Sequence, residues 1–228
     1  KKYFSEKFEI SHFDNCEYKN YDIESIKEFP KIVSETKGLM GFNITIPYKE
    51  EIIPMLDKLS KTAKIIGAVN CVTVSKKRKL KGYNTDYYGF KKSIKPLLKE
   101  HHKKALILGT GGASKAVAYA LRKLKIEYDF VSRTPDEFQF DYADLNAEVF
   151  EEYHIIINTT PVGTHPNVED FPNLDYSLFT KKHIAYDLVY NPEETAFLKK
   201  AKEQGAKTKN GYDMLVFQAE KAWKIWNE

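Results

Sequence analysis

The feature that most constrains this chain is a strand, a glycine-rich turn and a helix in immediate succession. Lys103-Lys104-Ala105-Leu106-Ile107-Leu108 is a short apolar run that reads as a buried strand. It leads into Gly109-Thr110-Gly111-Gly112-Ala113-Ser114, then a helical pattern over 114–124 and a second strand at 126–131. A strand–turn–helix–strand unit joins parallel strands through a right-handed crossover. Apolar runs at 155–157 and 184–189 add strands, and helices are predicted over 193–204 and 212–226, so the expected class is α/β with a parallel sheet.

The same turn suggests a ligand. Gly109 and Gly111 hold the first two positions of a dinucleotide fingerprint, where glycine permits a tight turn and close approach of backbone to a pyrophosphate. The helix that follows supplies amide donors and a partial positive charge. Ser114 stands at the third position, usually glycine or alanine, and a glycine-rich turn without a ligand is the plain alternative. The second strand ends in Ser132-Arg133-Thr134, where an NAD site carries an acid for the ribose hydroxyls. An arginine flanked by hydroxyls suits a 2′-phosphate and favours NADP(H) over NAD. Asp136 and Glu137 nearby weaken that phosphate site, and a solvated arginine at a strand end is the alternative.

Residues 1–100 have a different texture. Helices are expected at 1–10, loosely at 23–35, and at 49–60; strands are expected at 16–23, 39–46 and 65–75. Alternation along 39–46 assigns Ile44 and Ile46 to a core, with Asn43 and Thr45 on the opposite face. The run from Ser75 to Lys81 is read as a solvated hairpin turn between strands 70–74 and 80–83, ahead of a localisation signal or a phosphate-binding arm.

Several polar side chains interrupt otherwise apolar patterning: Asn43, Thr45 and Lys49; Asn70; Asn84-Thr85-Asp86; and Gln218 in the last helix. Amides on apolar elements need hydrogen-bond partners and suit a ligand with several hydroxyls. Lys49 and Asp86 are the obvious acid–base pair: a lysine can protonate a carbonyl oxygen as hydride reaches carbon, with a carboxylate to orient it. The ordinary alternatives are a surface lysine in the first turn of a helix, and an N-cap of helix 87–95 for Asp86. The six histidines show no metal-ligand spacing, so no metal is expected.

Composition narrows the setting. The net charge of +4 is mostly lysine, with arginine at 78, 122 and 133 alone; this is weak evidence for nucleic acid and fits an acidic small ligand. Cys16 and Cys71 are too few for a disulfide scaffold and suit a reducing compartment. No apolar run approaches a membrane span, and the first residues carry no secretory pattern, so a cytoplasmic protein without membrane contact is expected. Monomer and homodimer both fit.

Taken in order, these motifs resemble the shikimate dehydrogenase family. Asn43-Ile44-Thr45-Ile46-Pro47-Tyr48-Lys49 is similar to its N-V-T-x-P-x-K segment, Gly67-Ala68-Val69-Asn70 to G-A-V-N, and Gly82-Tyr83-Asn84-Thr85-Asp86 to G-x-N-T-D. Gly109 to Ala113 resembles the G-x-G-G-A loop, Ser132-Arg133-Thr134 the N-R-T clamp, and Asn158-Thr159-Thr160-Pro161-Val162-Gly163 the N-x-T-P-x-G segment. Asp187-Leu188-Val189-Tyr190 and the stretch from Asn210 to Gln218 resemble the closing motifs.

The resemblance implies two α/β domains with a cleft between them: a mixed-sheet substrate domain over 1–88, a Rossmann-like NADP domain over 89–211, and a final helix, 212–228, returning to the first. It implies NADP-dependent reduction of 3-dehydroshikimate to shikimate, on the path to chorismate and the aromatic amino acids. Lys49 and Asp86 would be catalytic. Thr45, Asn70, Asp86, Tyr190 and Gln218 would bind substrate, and Asn43 would support the backbone around Thr45 and Lys49. Gly109, Thr110, Gly111, Gly112, Ala113, Ser132, Arg133, Thr134, Thr160, Pro161, Val162, Gly211 and Met214 would contact the cofactor. Glu137 stands near a position where the family often has a second basic residue, which softens the expected NADP preference. The family also opens with a strand and a G-x-P-x-x-H-S-x-S loop whose serines hold the substrate carboxylate. Residues 1–8 resemble the helix after that loop, so we expect the natural protein to continue upstream of Lys1. An NAD-dependent quinate/shikimate dehydrogenase, and a non-catalytic ligand-binding or regulatory protein on the same fold, are the alternatives.

Overall fold

The computed structural model describes residues 1–228. The chain divides into two compact units, residues 1–39 and 40–228. In the first unit, helix α1 (Lys2–Ile10) buries Phe4 and Phe8 on one face, and Phe4 stacks on Tyr18 with ring centroids 4.8 Å apart. Ser25 and Glu28 form a reciprocal capping box that opens a 3-10 turn (Ile26–Glu28), which runs into α2 (Phe29–Glu35). The strand expected at 16–23 is absent: no β ladder includes the segment, and a strand exists only where its backbone groups join one.

The second unit begins with a small mixed sheet built from β1 (Gly41–Asn43), β2 (Lys58–Leu59), β3 (Cys71–Val74) and β4 (Leu80–Tyr83), with α3 (Lys61–Ile66) between β2 and β3. Their order is β1-β3-β4-β2; β3 runs antiparallel to β1 and β4, and β2 parallel to β4. The hairpin between β3 and β4 is the one expected from the lysine run. Three expectations change. The first strand ends at Asn43 because the chain turns there, with Tyr48 N–H donating to the Thr45 carbonyl. Ile46 therefore leaves the pleat and is 66% exposed instead of core. Residues 49–60 do not form a helix: Pro54 lacks an N–H and its ring crowds the preceding turn, leaving successive turns and one 3-10 turn (Ile53–Met55). The strand expected at 65–75 shortens to four residues, since Ser60 caps Ala63 N–H and starts α3, which Gly67 ends at φ +73°.

The remaining elements are α4 (Asp86–Ile94), β5 (Lys104–Leu108), α5 (Gly112–Leu124), β6 (Glu127–Ser132), β7 (Gln139–Asp141), α6 (Ala147–Glu152), β8 (Ile155–Asn158), β9 (Ile184–Asp187), α7 (Ala196–Glu203), β10 (Lys207–Lys209) and α8 (Tyr212–Trp226). Six strands form an all-parallel sheet in the order β10-β9-β8-β5-β6-β7, the doubly wound dinucleotide-binding arrangement. Successive side chains point to opposite faces, and both faces are covered. Ala105 and Ile107 pack with Phe90 of α4 and Val117 and Leu121 of α5; Leu106 and Leu108 pack with Phe150 of α6 and Phe197 of α7. Double coverage explains why these strands read as continuous apolar runs.

Helix α8 joins the two sheets. Near its start Met214 enters the core beside Phe90; near its end Trp226 Nε1 donates to the Val72 carbonyl of β3 at 3.0 Å. Gly41 of β1 leaves room for that indole, since a Cβ there would collide with Trp226 Nε1.

Candidate active site

The small sheet aligns the ends of its strands. Asn43 pairs with Cys71, and Cys71 with Tyr83, so the residues flanking this row emerge at one edge. There Ile44 N–H donates to the Asn70 carbonyl and Asn70 N–H to the Tyr83 carbonyl. Asn43 Nδ2 also donates to the Asn70 carbonyl at 3.1 Å, which fixes the loop that carries Asn70. Asn84 Nδ2 donates to the Ala68 carbonyl, while its Oδ1 accepts from Tyr87 N–H at the start of α4. Asn84 thus takes the capping role considered for Asp86, and the Asp86 carboxylate is free for other partners.

Those partners are Lys49 and Asn70. Lys49 Nζ lies 2.7 Å from Asp86 Oδ2, with the two side chains 14% and 8% exposed. A charge pair so withdrawn from water is held by its partners; removing one member of such a pair costs about 3–5 kcal/mol. Asn70 Nδ2 lies 2.8 Å from Asp86 Oδ1, 2.9 Å from Thr85 Oγ1 and 3.2 Å from Gln218 Oε1. Thr85 N–H returns a bond to Asn70 Oδ1 at 2.6 Å, and Thr85 Oγ1 reaches Gln218 Oε1 at 3.2 Å. The result is a lysine ammonium, a carboxylate, two amides and a hydroxyl from four separate segments in one connected network. Burial pushes the neighbouring Cys71 thiol up to about 12, so it is no nucleophile here.

The parallel sheet presents a second row of groups. Val131, Leu108, Asn158 and Asp187 are register partners across β6, β5, β8 and β9, at the carboxyl ends of the strands. Strand order reverses between β5 and β8, where open α/β sheets place their ligands. Gly109 sits there at φ +100°, and a Cβ on it would come within 3.0 Å of Thr160 Cγ2 and 3.1 Å of Thr159 Oγ1. Gly111 has open space around its Cα, and α5 starts without a side-chain cap or an acid in its first turn. The uncapped N–H groups, the open glycine and the exposed Arg133 past the end of β6 fit a dinucleotide diphosphate with an added phosphate. Asn158 Oδ1 accepts from Thr160 N–H and Oγ1, while its Nδ2 donates to Asp187 Oδ1 at 3.0 Å. Asp187 also accepts from Val189 N–H and Thr195 Oγ1. Burial pushes its carboxyl up to about 7, against the pull of these three donors.

The two groups of residues meet at Gly112. A Cβ there would lie 3.2 Å from Lys49 Cβ and 3.6 Å from Ala68 Cβ. The stem of the lysine therefore rests on the first residue of the helix that follows the glycine turn.

Residues 2–72 match the model of the shikimate dehydrogenase substrate binding domain. The shikimate dehydrogenase (NADP(+)) of Caldicellulosiruptor saccharolyticus is 40% identical over 90% of this chain and 78% of its own length. The chain belongs to the shikimate dehydrogenase family. The crystal structure of shikimate dehydrogenase 1 from Peptoclostridium difficile superposes with TM-score 0.81 at 38% identity, over 98% of this chain and 84% of that one. Shikimate 5-dehydrogenase from Thermus thermophilus, solved in complex with NADP(H) and shikimate, superposes with TM-score 0.78 at 34% identity, over 89% and 78% of the two chains.

Within this shikimate dehydrogenase fold the expected site residues are unevenly distributed. Lys49, Asp86, Asn70 and Gln218 are linked in that order by direct hydrogen bonds. Thr45 and Tyr190 are exposed, Tyr190 at 46% in the loop after β9. On the dinucleotide side, Gly109, Thr110, Gly111, Gly112 and Ala113 form the turn into α5; Ser132, Arg133 and Thr134 follow β6, with Thr134 N–H on Ser132 Oγ. Thr160 and Val162 are half-buried beside exposed Pro161, and Thr160 Oγ1 accepts from Val162 N–H. Gly211 is pressed on the Leu188 backbone, and the Met214 side chain is buried in the core of the parallel sheet. Roles for Asn158, Asp187 and Thr195 did not emerge from sequence. Their signal was position: polar residues at the ends of two consecutive buried strands, and a threonine heading the next helix.

Proposed function

We propose that this protein is an NADP-dependent shikimate dehydrogenase that interconverts 3-dehydroshikimate and shikimate, an oxidoreductase acting on a CH–OH group in the cytoplasmic route to chorismate and the aromatic amino acids. The carrying observation is the Lys49–Asp86–Asn70–Gln218 network, joined at Gly112 to the dinucleotide turn. Residues 1–88 and the final helix, 212–228, form the substrate side in this reading, and 89–211 the cofactor side. No helix is long and apolar enough to cross a membrane.

Gly109 to Ala113 at the start of α5 would hold the diphosphate of NADP(H), and Ser132, Arg133 and Thr134 its 2′-phosphate; the cofactor, when bound, would supply or accept the hydride. Thr160, Pro161, Val162, Gly211 and Met214 line the path toward the substrate. Asn70, Asp86 and Gln218 receive the ring hydroxyls, with Thr45 and Tyr190 closing the outer side. In reduction the Lys49 ammonium donates a proton to the ketone oxygen as the carbon gains hydride, and in oxidation it takes that proton back. Asp86 aims the ammonium and compensates its charge, so the proton donor is already oriented before the substrate arrives.

Oxidation of NADPH on addition of 3-dehydroshikimate, set beside NADH and the quinate analogue, tests the reading. Turnover with NADPH is expected. The exposed acid at Glu137, close to Arg133 in sequence, favours the second reading of a quinate/shikimate dehydrogenase using NAD. Preference for NADH with acceptance of quinate would establish that one, and no turnover of either substrate would contradict both.

A further inference from the structure

The residue after the candidate catalytic lysine is ion-paired to the helix that begins the dinucleotide site. Glu50 Oε2 lies 2.5 Å from Lys115 Nζ, in the first turn of α5. A lysine in the first turn of a helix opposes the helix dipole, so its own helix gives no reason for it to be there. Glu50 supplies one: its other oxygen, Oε1, lies 3.6 Å from where a Cβ on Gly112 would be. The side chains are 39% and 43% exposed, and pairs so wet contribute little stability. The consequence of this pair is therefore geometric. Lys49 is held on three sides: its carbonyl accepts from Val69 N–H at 2.8 Å, its stem meets Gly112, and the next residue is tied to Lys115. Below the tie, Ile66 and Ala68 pack on Ala116 and Tyr119 of α5, which gives the contact a stiff base.

We propose that Glu50 and Lys115 are positioning residues, a clasp that fixes the height of the Lys49 ammonium over the dinucleotide turn. The clasp rests on the functional reading above. It acts through Lys49 and touches no reacting atom, so loosening it should slow chemistry without weakening cofactor binding.

The test uses the full chain with Glu50→Gln, Lys115→Met and the exchanged pair Glu50→Lys/Lys115→Glu. Measurements are kcat and KM with NADPH and 3-dehydroshikimate, the isotope effect from deuterated NADPH, NADP binding by fluorescence, and hydrogen exchange of the amides at 48–52. Each single variant is expected to lose about tenfold in kcat with a larger isotope effect, because a small misplacement of a reacting group is costly. NADP affinity should stay within about twofold, and the exchanged pair should recover most of the rate, as a restored charge couple does. Unchanged kcat in both single variants, or an exchanged pair no better than the worse of them, overturns the clasp. So does NADP binding weakened about tenfold in Lys115→Met and tightened in Glu50→Gln, which would make Lys115 a phosphate ligand. Failure of the unaltered protein to turn over would remove the functional reading alone. Exchange then decides the clasp: it stands if both single variants exchange faster at 48–52 and the exchanged pair does not, and falls if all three match the unaltered protein.

Discussion

Replacing Gly89 with alanine should damage substrate recognition from a helix crossing. Helices α4 and α8 cross with Gly89 at the contact, where an added Cβ would lie 2.5 Å from the Met214 carbonyl oxygen and 3.0 Å from Gln218 Cβ. The first distance falls short of ordinary contact, 3.4 Å, by about 0.9 Å. The obstacle is backbone, so α8 must withdraw by nearly that much. Gln218 Oε1 now stands 3.2 Å from both Asn70 Nδ2 and Thr85 Oγ1; a shift of that size takes both beyond about 3.5 Å and ends the bonds. Two effects on stability oppose each other. Alanine is the better helix former by about 1 kcal/mol, while overpacking costs about 1–3 kcal/mol. The net expectation lies between neutral and about 2 kcal/mol of destabilisation, read from urea unfolding. With Gln218 withdrawn from its proposed place against the ring hydroxyls, one or two substrate hydrogen bonds at about 1 kcal/mol each would go, which predicts a KM for shikimate raised about five- to thirtyfold, with NADP affinity unchanged. A variant that is more stable and keeps its KM would refute the reasoning, because α8 would then have yielded without displacing Gln218.

Two further predictions concern charge. Arg133→Ala should raise the KM for NADP about 10- to 100-fold and leave that for NAD nearly unchanged, the loss expected for a paired guanidinium–phosphate contact; equal effects on both cofactors would argue against a 2′-phosphate role. Three histidines at the amino ends of the parallel strands, His102, His154 and His183, are built to be neutral. His102 Nδ1 accepts from Lys99 N–H and its Nε2 faces the Lys182 carbonyl; His183 Nδ1 accepts from Thr180 N–H and its Nε2 faces the Phe150 carbonyl. Burial lowers all three, His102 to about 4, and their charged or titratable neighbours are His101, Lys99 and Lys182. Folded values below the unfolded value mean that the unfolded chain binds more protons. Stability should therefore be complete above pH ~6.5 and fall as pH drops toward 4, by at most about 1.4 kcal/mol per pH unit for each histidine. Asp187, held up by burial, works in the opposite sense over the same window, so the quantity to read is the difference between the unaltered protein and His102→Asn. Identical urea midpoints for the two from pH 8 to 5 would contradict it.

How much of this was visible in the sequence varied with the origin of the signal. The parallel sheet was legible because strands covered on both faces carry continuous apolar runs, such as 105–108 and 155–157, with few alternatives. The edge strands β7 and β10 were missed because each is three residues long and exists through one neighbour. The segment that follows Lys49 was misread because its apolar spacing, with Ile52, Ile53 and Leu56, suits a helix until Pro54 is weighed. Asn70, Asp86 and Gln218 stood out as polar residues on apolar elements, but their convergence depends on the β1–β3–β4 register and on the α4–α8 crossing. Nothing in the sequence singles out Glu50 and Lys115; only the packing of α5 on the Lys49 turn sets them apart.

In the proposed reaction Lys49 moves the proton while the hydride is handled elsewhere. Lys49→Ala, assayed for turnover with NADPH and 3-dehydroshikimate and separately for NADP binding, tests it most directly. Turnover should fall about 100- to 10,000-fold, the range of a lost general acid, with NADP affinity within about twofold. Turnover equal to that of the unaltered protein would contradict it.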